Sequence, residues 1–559
     1  MAVDVQSILQ LVFCLSMIIS LNLIDARPNR VDFELFTWEN DNCSSVNKDD
    51  LFLEEERETN RYINEKDVLL NETNGGSNNE DSRGFSFGDI VESMFSAVAS
   101  GLGSIVTSFI GTEKSSKPRS TRVNYRNYQL IRLFPSSQSQ VKELKELMDT
   151  EPEDVKFWTQ PMSNKTTDVV VSPDLVSDVK TFLRNKGIDF KVLISDLQKM
   201  IAHQNPKMSK EQREDLVTSR GHSMTWKRYH RYGDIVRYME YLAFRYPRLV
   251  ELITIGNSFE GQPIKMVKIS SGPTKDGDDK PAIWIDAGMH AREWISTAVA
   301  TYIMSQLVEK NSSYSKLLDS SDWMILPVAN PDGYEFTHTG DRLWRKTRSN
   351  HGDDQDDSRS VHYSLLQLVS HYTRWLWGKC EGVDPNRNFG YHWGEVAEGG
   401  ASLDPCHETY AGPHAFSERE TKAMAEYILA NKENIRMYLT LHSYSQMWLV
   451  PWGYTYSKPS DYSELVSAAK KAIGAISKVH GTNYKLGPSA DLLYPTSGTT
   501  TTRVNILSTG TRKYWIVIVF CHRVIFKVKT HHFYMFIITS LLIYIFRLII
   551  LGIEDSMCS

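Results

Sequence analysis

Apolar and polar positions along this chain follow two different periods, and the change from one to the other marks its elements. Between residues 121 and 203, strand-like runs at Tyr128–Phe134, Thr167–Val171 and Phe190–Ile194 alternate with helical stretches at Gln140–Met148 and Pro173–Lys186. That order predicts a small α+β sandwich with its helices on one face of an antiparallel sheet. From residue 221 onward the pattern predicts a helix over Tyr232–Arg245, strands at Leu252–Ile255, Ile264–Ile269 and Ala282–Asp286, and a helix over Ser296–Glu309. A strand at Trp323–Pro327, a helix at Arg419–Asn431 and a strand at Met437–Leu441 follow. Strands that are apolar almost throughout are buried on both faces, so this larger unit is predicted to be α/β, a mixed sheet with helices on both sides. Ligands of such sheets sit at the carboxyl ends of the strands.

The remaining segments have other patterns. Ile8–Ile24 is an apolar run leading to a small-residue site at Ala26, which predicts a secretory signal peptide over residues 1–26. Residues 27–120 are acidic and polar and read as a disordered extension, although Phe85–Ile110 within it is apolar. Export would permit disulfides and would make the sequons at Asn42, Asn71, Asn164 and Asn311 glycan candidates. Residues 204–220 are polar and carry Lys207, Lys210, Arg213 and Arg220, an exposed basic linker of the kind a trypsin-like protease cuts. After Gly498 the chain is dominated by Thr, Ile, Phe, Tyr and Val without an amphipathic period, and residues 499–559 read as an aberrant apolar tail.

Composition narrows the function. A length of 559 residues exceeds one ordinary domain, and 63 basic against 68 acidic residues give a net charge of −5, with no basic field to draw nucleic acid. Six cysteines are too few for a disulfide-dense scaffold. Stability must therefore rest on buried apolar surface.

Candidate chemistry begins just after the strand ending at Asp286, where His290 and Glu293 stand three residues apart and can converge on one metal ion. Spacing alone is weak, because His392 and Glu395 share it in a Gly-rich stretch. His442 strengthens the pattern, since it too lies at a strand's carboxyl end. Two His and one Glu with a fourth position open is the donor set of catalytic rather than structural zinc.

Five segments extend that pattern: His290–Ser296, Asn330–Tyr334, Arg342–Arg348, Gly382–Asn388 and Leu441–Gln446. Together they resemble the zinc carboxypeptidases of the A/B digestive group, in that family's order, over residues 120–498. The resemblance implies that His290, Glu293 and His442 hold one Zn²⁺, with Asp384 fixing the tautomer of His290. It implies that Arg345 stabilises the oxyanion of the scissile carbonyl, while Asn386 and Arg387 clamp the substrate's terminal carboxylate. Cys380 and Cys406 match the family's internal disulfide. Residues 121–203 resemble its ferredoxin-like activation domain, which covers the active site until a protease cuts the linker, here after Arg220. The partners so implied are peptides or proteins with a free C-terminus and a trypsin-like activator.

Two departures qualify the resemblance. Residues 349–379 stand where the family has a shorter connection, and read equally as a surface-loop insertion or as a translated intron fragment. After Gly498, the family continues to a strand that bears a general-base glutamate, yet no acidic residue occurs here between Asp491 and Glu554. Three readings follow: a secreted zinc exopeptidase zymogen whose C-terminal region is altered, a non-catalytic homologue that binds peptide C-termini, and a form tethered to a membrane by Phe533–Ile553.

Overall fold

The run Tyr128–Phe134 becomes a central strand because its alternate residues have partners on both sides. The structure is a computed structural model that describes residues 122–150, 154–351, 380–395, 400–500 and 514–520, all within the unit Ser116–Ser559. The expected signal peptide, the acidic extension, the sequons at Asn42 and Asn71, residues 352–379 of the insertion and the run Phe533–Ile553 lie outside the described residues.

Its N-terminal part orders as β1 (Gln129–Phe134), α1 (Gln138–Thr150), β2 (Val155–Phe157), β3 (Thr167–Val171), α2 (Val176–Asn185), β4 (Asp189–Ile194) and α3 (Leu197–Gln204). The strands form one antiparallel sheet in the order β2-β3-β1-β4. Ile131, Leu133, Val169 and Val171 pack on Leu144, Val179 and Leu183 of the two helices. The intervening Leu130 and Val170 face the opposite way, onto Leu197, Ile201 and Leu343, the last belonging to the larger unit. Burial on both faces explains why Val169–Val171 is apolar without alternation. The three-residue β2 escaped the sequence pattern because it is too short to show a period.

The stretch expected to be an open linker is instead helical, as α4 (Lys210–Arg220). No residue of this helix is buried, so hydrophobic periodicity could not reveal it. Its ends are fixed locally: Ser209 Oγ accepts from Gln212 N–H while Gln212 Oε1 accepts from Ser209 N–H, a capping box, and Gly221 closes the other end at φ 80°, while Arg213 within it bonds Asp234 at 2.8 Å.

The larger unit runs α5 (Tyr232–Arg245), β5 (Val250–Asn257), β6 (Pro263–Ile269), β7 (Ala282–Ala287), α6 (Trp294–Glu309), α7 (Ser315–Ser320), β8 (Asp322–Leu326), α8 (Pro331–Thr339), α9 (Arg419–Ala430), β9 (Ile435–Ser443), β10 (Met447–Val450), α10 (Tyr462–His480), β11 (Lys485–Pro488), α11 (Ser489–Leu492) and β12 (Tyr514–Phe520). Its eight strands pair in the order β11-β10-β12-β9-β7-β8-β6-β5, with β12, β9, β7 and β8 parallel. Every residue of β7 is buried. Ile283 and Ile285 face a layer that includes Val299 and Ile303 of α6, whereas Trp284 faces Met424 and Ile428 of α9. Helices therefore cover both faces, as expected for this fold class. Cys380 and Cys406 are joined as a disulfide with Cα atoms 5.0 Å apart.

Strand β12 corrects the expectation that everything after Gly498 lies outside the fold. Residues 514–520 run parallel to β9 and antiparallel to β10, and fill a place inside the sheet. The sequence there, Tyr-Trp-Ile-Val-Ile-Val-Phe, is an unbroken run of apolar and aromatic residues.

Candidate active site

Two strand ends build the site. After β7, Gly288 turns the chain at φ 63°, where an added Cβ would stand 2.6 Å from Thr297 Oγ1 and 3.2 Å from the backbone of Val328. This tight turn admits only glycine without a shift of its neighbours. It carries His290 forward and places Glu293 immediately before α6, while His442 lies near the end of β9.

The three side chains converge, and all three are buried. His290 Nδ1 lies 2.8 Å from Glu293 Oε1, and His442 Nδ1 lies 3.1 Å from both Glu293 Oε2 and His290 Nδ1. The far nitrogens are engaged elsewhere: His290 Nε2 meets Asp384 Oδ1 at 3.0 Å and His442 Nε2 meets Thr440 Oγ1 at 3.1 Å. Each imidazole thus has an oxygen partner behind it, the arrangement that leaves Nδ1 as a lone-pair donor toward a metal. Two inward ring nitrogens and a carboxylate match the two-His, one-Glu donor set of catalytic zinc. Among the described residues no other group of His, Cys, Asp and Glu comes together in this way. His392 and Glu395 bond each other at 2.5 Å instead, with the imidazole stacked on Tyr454.

Electrostatics favour the same state. Burial pushes the Glu293 carboxyl up, but the two histidines outweigh it and hold the group below the ordinary carboxylate range. Burial and the nearby Arg345 lower the His290 pKa against the pull of Glu293 and Asp384, which keeps the ring neutral at physiological pH. Asp384 is fully buried and stays ionised because Arg345, His290 and Arg387 surround it.

Arg345 grips Asp384 with two donors, Nη2 at 2.8 Å and Nε at 3.1 Å to Oδ2, and its Nη1 lies 3.9 Å from Glu293. Arg387 Nε donates to Gly400 O at 2.5 Å and Nη1 to Asn386 O at 2.7 Å, which leaves Nη2 with only a 3.5 Å contact to Tyr494 Oη. Asn386 Oδ1 accepts from Thr500 N–H at 3.2 Å. His290, Glu293, His442, Arg345, Asn386 and Arg387 all line one cavity of about 180 Å³.

Part of that cavity wall comes from the N-terminal unit, through Trp158, Thr159, Ile201 and Gln204. Tyr444, two residues beyond His442, donates its hydroxyl to Asp168 Oδ2 at 2.7 Å, and Arg132 holds Asp168 with two bonds of 2.7 Å. Trp158 packs edge-on against Tyr444. Asp168 and Tyr444 are 276 residues apart, so local pattern offered no signal for this contact. Asn330, buried at the N-terminal end of α8, braces the site from behind. Its Nδ2 donates to Met289 O at 3.2 Å and Lys346 O at 2.9 Å, and so ties the His290 turn to the segment bearing Arg345.

Fold and site together define a zinc-dependent α/β hydrolase whose cleft is covered by its own N-terminal unit. Comparison with known families agrees: a zinc carboxypeptidase model matches residues 235–537 and a carboxypeptidase activation peptide model matches residues 131–204. The chain belongs to the zinc carboxypeptidase family. It is 35% identical to mouse carboxypeptidase A2 over 374 residues, 66% of this chain and 81% of that protein. To crayfish (Astacus astacus) carboxypeptidase B it is 42% identical over 275 residues, 49% of this chain and 81% of the other. The structure of thrombin-activatable fibrinolysis inhibitor aligns with a TM-score of 0.63 at 28% identity, covering 77% of this chain and 99% of that one. The family match reaches residue 537 and so includes β12, although the sequence motifs end at Gly498.

Proposed function

We propose that this protein is the zymogen of a zinc-dependent exopeptidase that removes C-terminal residues from peptides and proteins, secreted and activated by a trypsin-like protease. The observation that carries the reading is the convergence of His290, Glu293 and His442 with Arg345, Asn386 and Arg387 in one cavity roofed by the N-terminal unit. The apolar N-terminal run and the Cys380–Cys406 disulfide support export. Among the described residues no helix is long and apolar enough to cross a membrane.

His290, Glu293 and His442 would hold Zn²⁺, which when bound polarises a carbonyl and lowers the pKa of water. Asp384 orients His290 and Arg345 together, since one carboxylate accepts from both. Arg345 would then meet negative charge that develops on the scissile carbonyl oxygen. Arg387, planar and buried beside Asn386, would bind the substrate's terminal carboxylate, a charge present before and throughout the reaction.

These roles separate kinetically. In a catalytically competent form, Arg387→Ala is expected to raise KM chiefly, whereas Arg345→Ala is expected to lower kcat by about 10²- to 10³-fold, the usual loss for one oxyanion donor. Steady-state kinetics on a short peptide checks both, and equal effects on KM alone would contradict the assignment.

Activation should follow the exposed helix α4. Arg220 sits in its last turn, and a protease needs that turn unwound. Because no residue of α4 is buried, local opening breaks no core contact, and limited trypsin treatment is expected to give a new N-terminus at Gly221. Sequencing of the fragments checks this, and first cuts inside residues 128–194 would contradict it.

A specific observation supports a second reading, a non-catalytic relative that binds peptide C-termini. The residues of β12 include no acid, and Val519 occupies the register position paired with His442. Removing a base from proton transfer costs about 10²- to 10⁴-fold in rate, while the carboxylate clamp is untouched.

A further inference from the structure

A second cavity, of about 670 Å³, lies where the N-terminal unit and the segment joining it to the eight-stranded unit meet the latter. Arg122 and Lys207 line it from the N-terminal side, Arg228 and Arg231 from the other, and no carboxylate residue lines it. Arg231 is paired with Glu335, and Arg228 Nε donates at 3.3 Å to the Tyr229 carbonyl. Among the described residues, Arg122, Lys207 and Arg228 have no carboxylate within salt-bridge distance.

The polar atoms around these cations are also incompletely used. Asn124 and Gln198 spend their side-chain oxygens on the backbone N–H groups of Arg126 and Tyr125, which leaves their amide NH₂ groups as donors. His338 stacks on Trp294 with ring centres 4.1 Å apart, and its Nε2 is buried without a hydrogen-bond partner. Burial first, and then the positive charges of Arg342, Arg231, Arg228 and Arg122, lowers the His338 pKa from its ordinary value. Like charges gathered around a partly enclosed space repel one another, and a bound anion removes that cost. A tetrahedral oxyanion offers several acceptors to a ring of guanidinium, ammonium and amide donors.

We infer that this cavity binds a tetrahedral oxyanion, phosphate or sulfate, free or carried on a sulfated polysaccharide, and that the bound anion ties the activation unit to the catalytic unit. Arg122 and Lys207 precede Arg220 and would depart with the activation unit, whereas Arg228 and Arg231 remain. The ligand therefore binds the intact zymogen better than either fragment, and by linkage it opposes release of the activation unit. The amide of Val123 already donates to Gly340 O at 3.0 Å beside the cavity, so both walls are held in register before any anion arrives.

The test uses the full zinc-loaded chain in titration calorimetry, with sodium phosphate, sodium sulfate or a heparin-derived tetrasaccharide added at constant ionic strength. A saturable one-to-one isotherm with phosphate or sulfate is expected if the free ion suffices. Binding of the tetrasaccharide alone would assign the site to a polysaccharide-borne group. In either case Arg122→Gln/Lys207→Gln, which alters only exposed side chains, should weaken binding at least tenfold, and the trypsin-separated C-terminal fragment should weaken it at least as much. Arg228→Gln supplies the same test from the other wall. Binding no stronger than that of chloride for every probe, or equal binding by the double variant, would overturn the inference.

Discussion

Val519→Glu is expected to raise kcat/KM for release of C-terminal residues by about 10²- to 10⁴-fold, measured after trypsin removal of the activation unit. Three observations converge on this position. Strand β12 lies inside the sheet beside β9, its residues contain no acid, and Val519 is the one register-paired with His442. In the family that the chain resembles, a strand after the last shared motif bears the base that takes a proton from water and returns it to the leaving amine. A carboxylate restored there would perform both transfers, with Arg345, Asn386 and Arg387 already lining the same cavity. Glutamate in a central strand is costly unless it faces the cleft, so the same substitution at neighbouring Ile518 should destabilise the protein without a gain in rate. A rate for the unsubstituted protein within tenfold of Val519→Glu would show that another group, most plainly Glu554, serves as base.

His290→Ala is expected to lower bound zinc from one ion per chain by orders of magnitude at equal free metal, as measured by atomic absorption after dialysis. The loss follows from donor count, because His290 supplies one of three convergent atoms, while Asp384 behind it would keep its bonds from Arg345 and the Asn386 N–H. Asp384→Asn should reduce affinity by about 10- to 100-fold, since it removes the charge that orients His290 but leaves every donor in place. Full retention of zinc by His290→Ala would remove the metal assignment.

Much of the fold could be read from the sequence because its strands are short apolar runs between amphipathic helices. β7, for example, is buried along its whole length and is followed by a turn that only glycine fits. The metal donors were legible because His290 follows one strand and His442 lies near the end of another, with Glu293 three residues after His290. What escaped was information held elsewhere. Helix α4 has no buried face, so its one signal was the capping pair Ser209 and Gln212. β12 is an unbroken apolar run like other interior strands, but it stands in a stretch without acidic residues or family motifs, where the same run reads as part of a tail. The contacts that roof the cleft, Tyr444 with Asp168 and Trp158, depend on the docking of two units, which no local period encodes.

The central claim is that a zinc site under a removable N-terminal unit recognises a peptide's terminal carboxylate, and this can be measured without any turnover. Fluorescence anisotropy would compare a labelled peptide bearing a free C-terminal carboxylate with its C-terminal amide, before and after trypsin cleavage, with and without Arg387→Ala. The account predicts that the carboxylate binds at least tenfold more tightly than the amide, only after cleavage, and that Arg387→Ala abolishes the difference. Equal binding of acid and amide by the cleaved protein would contradict it.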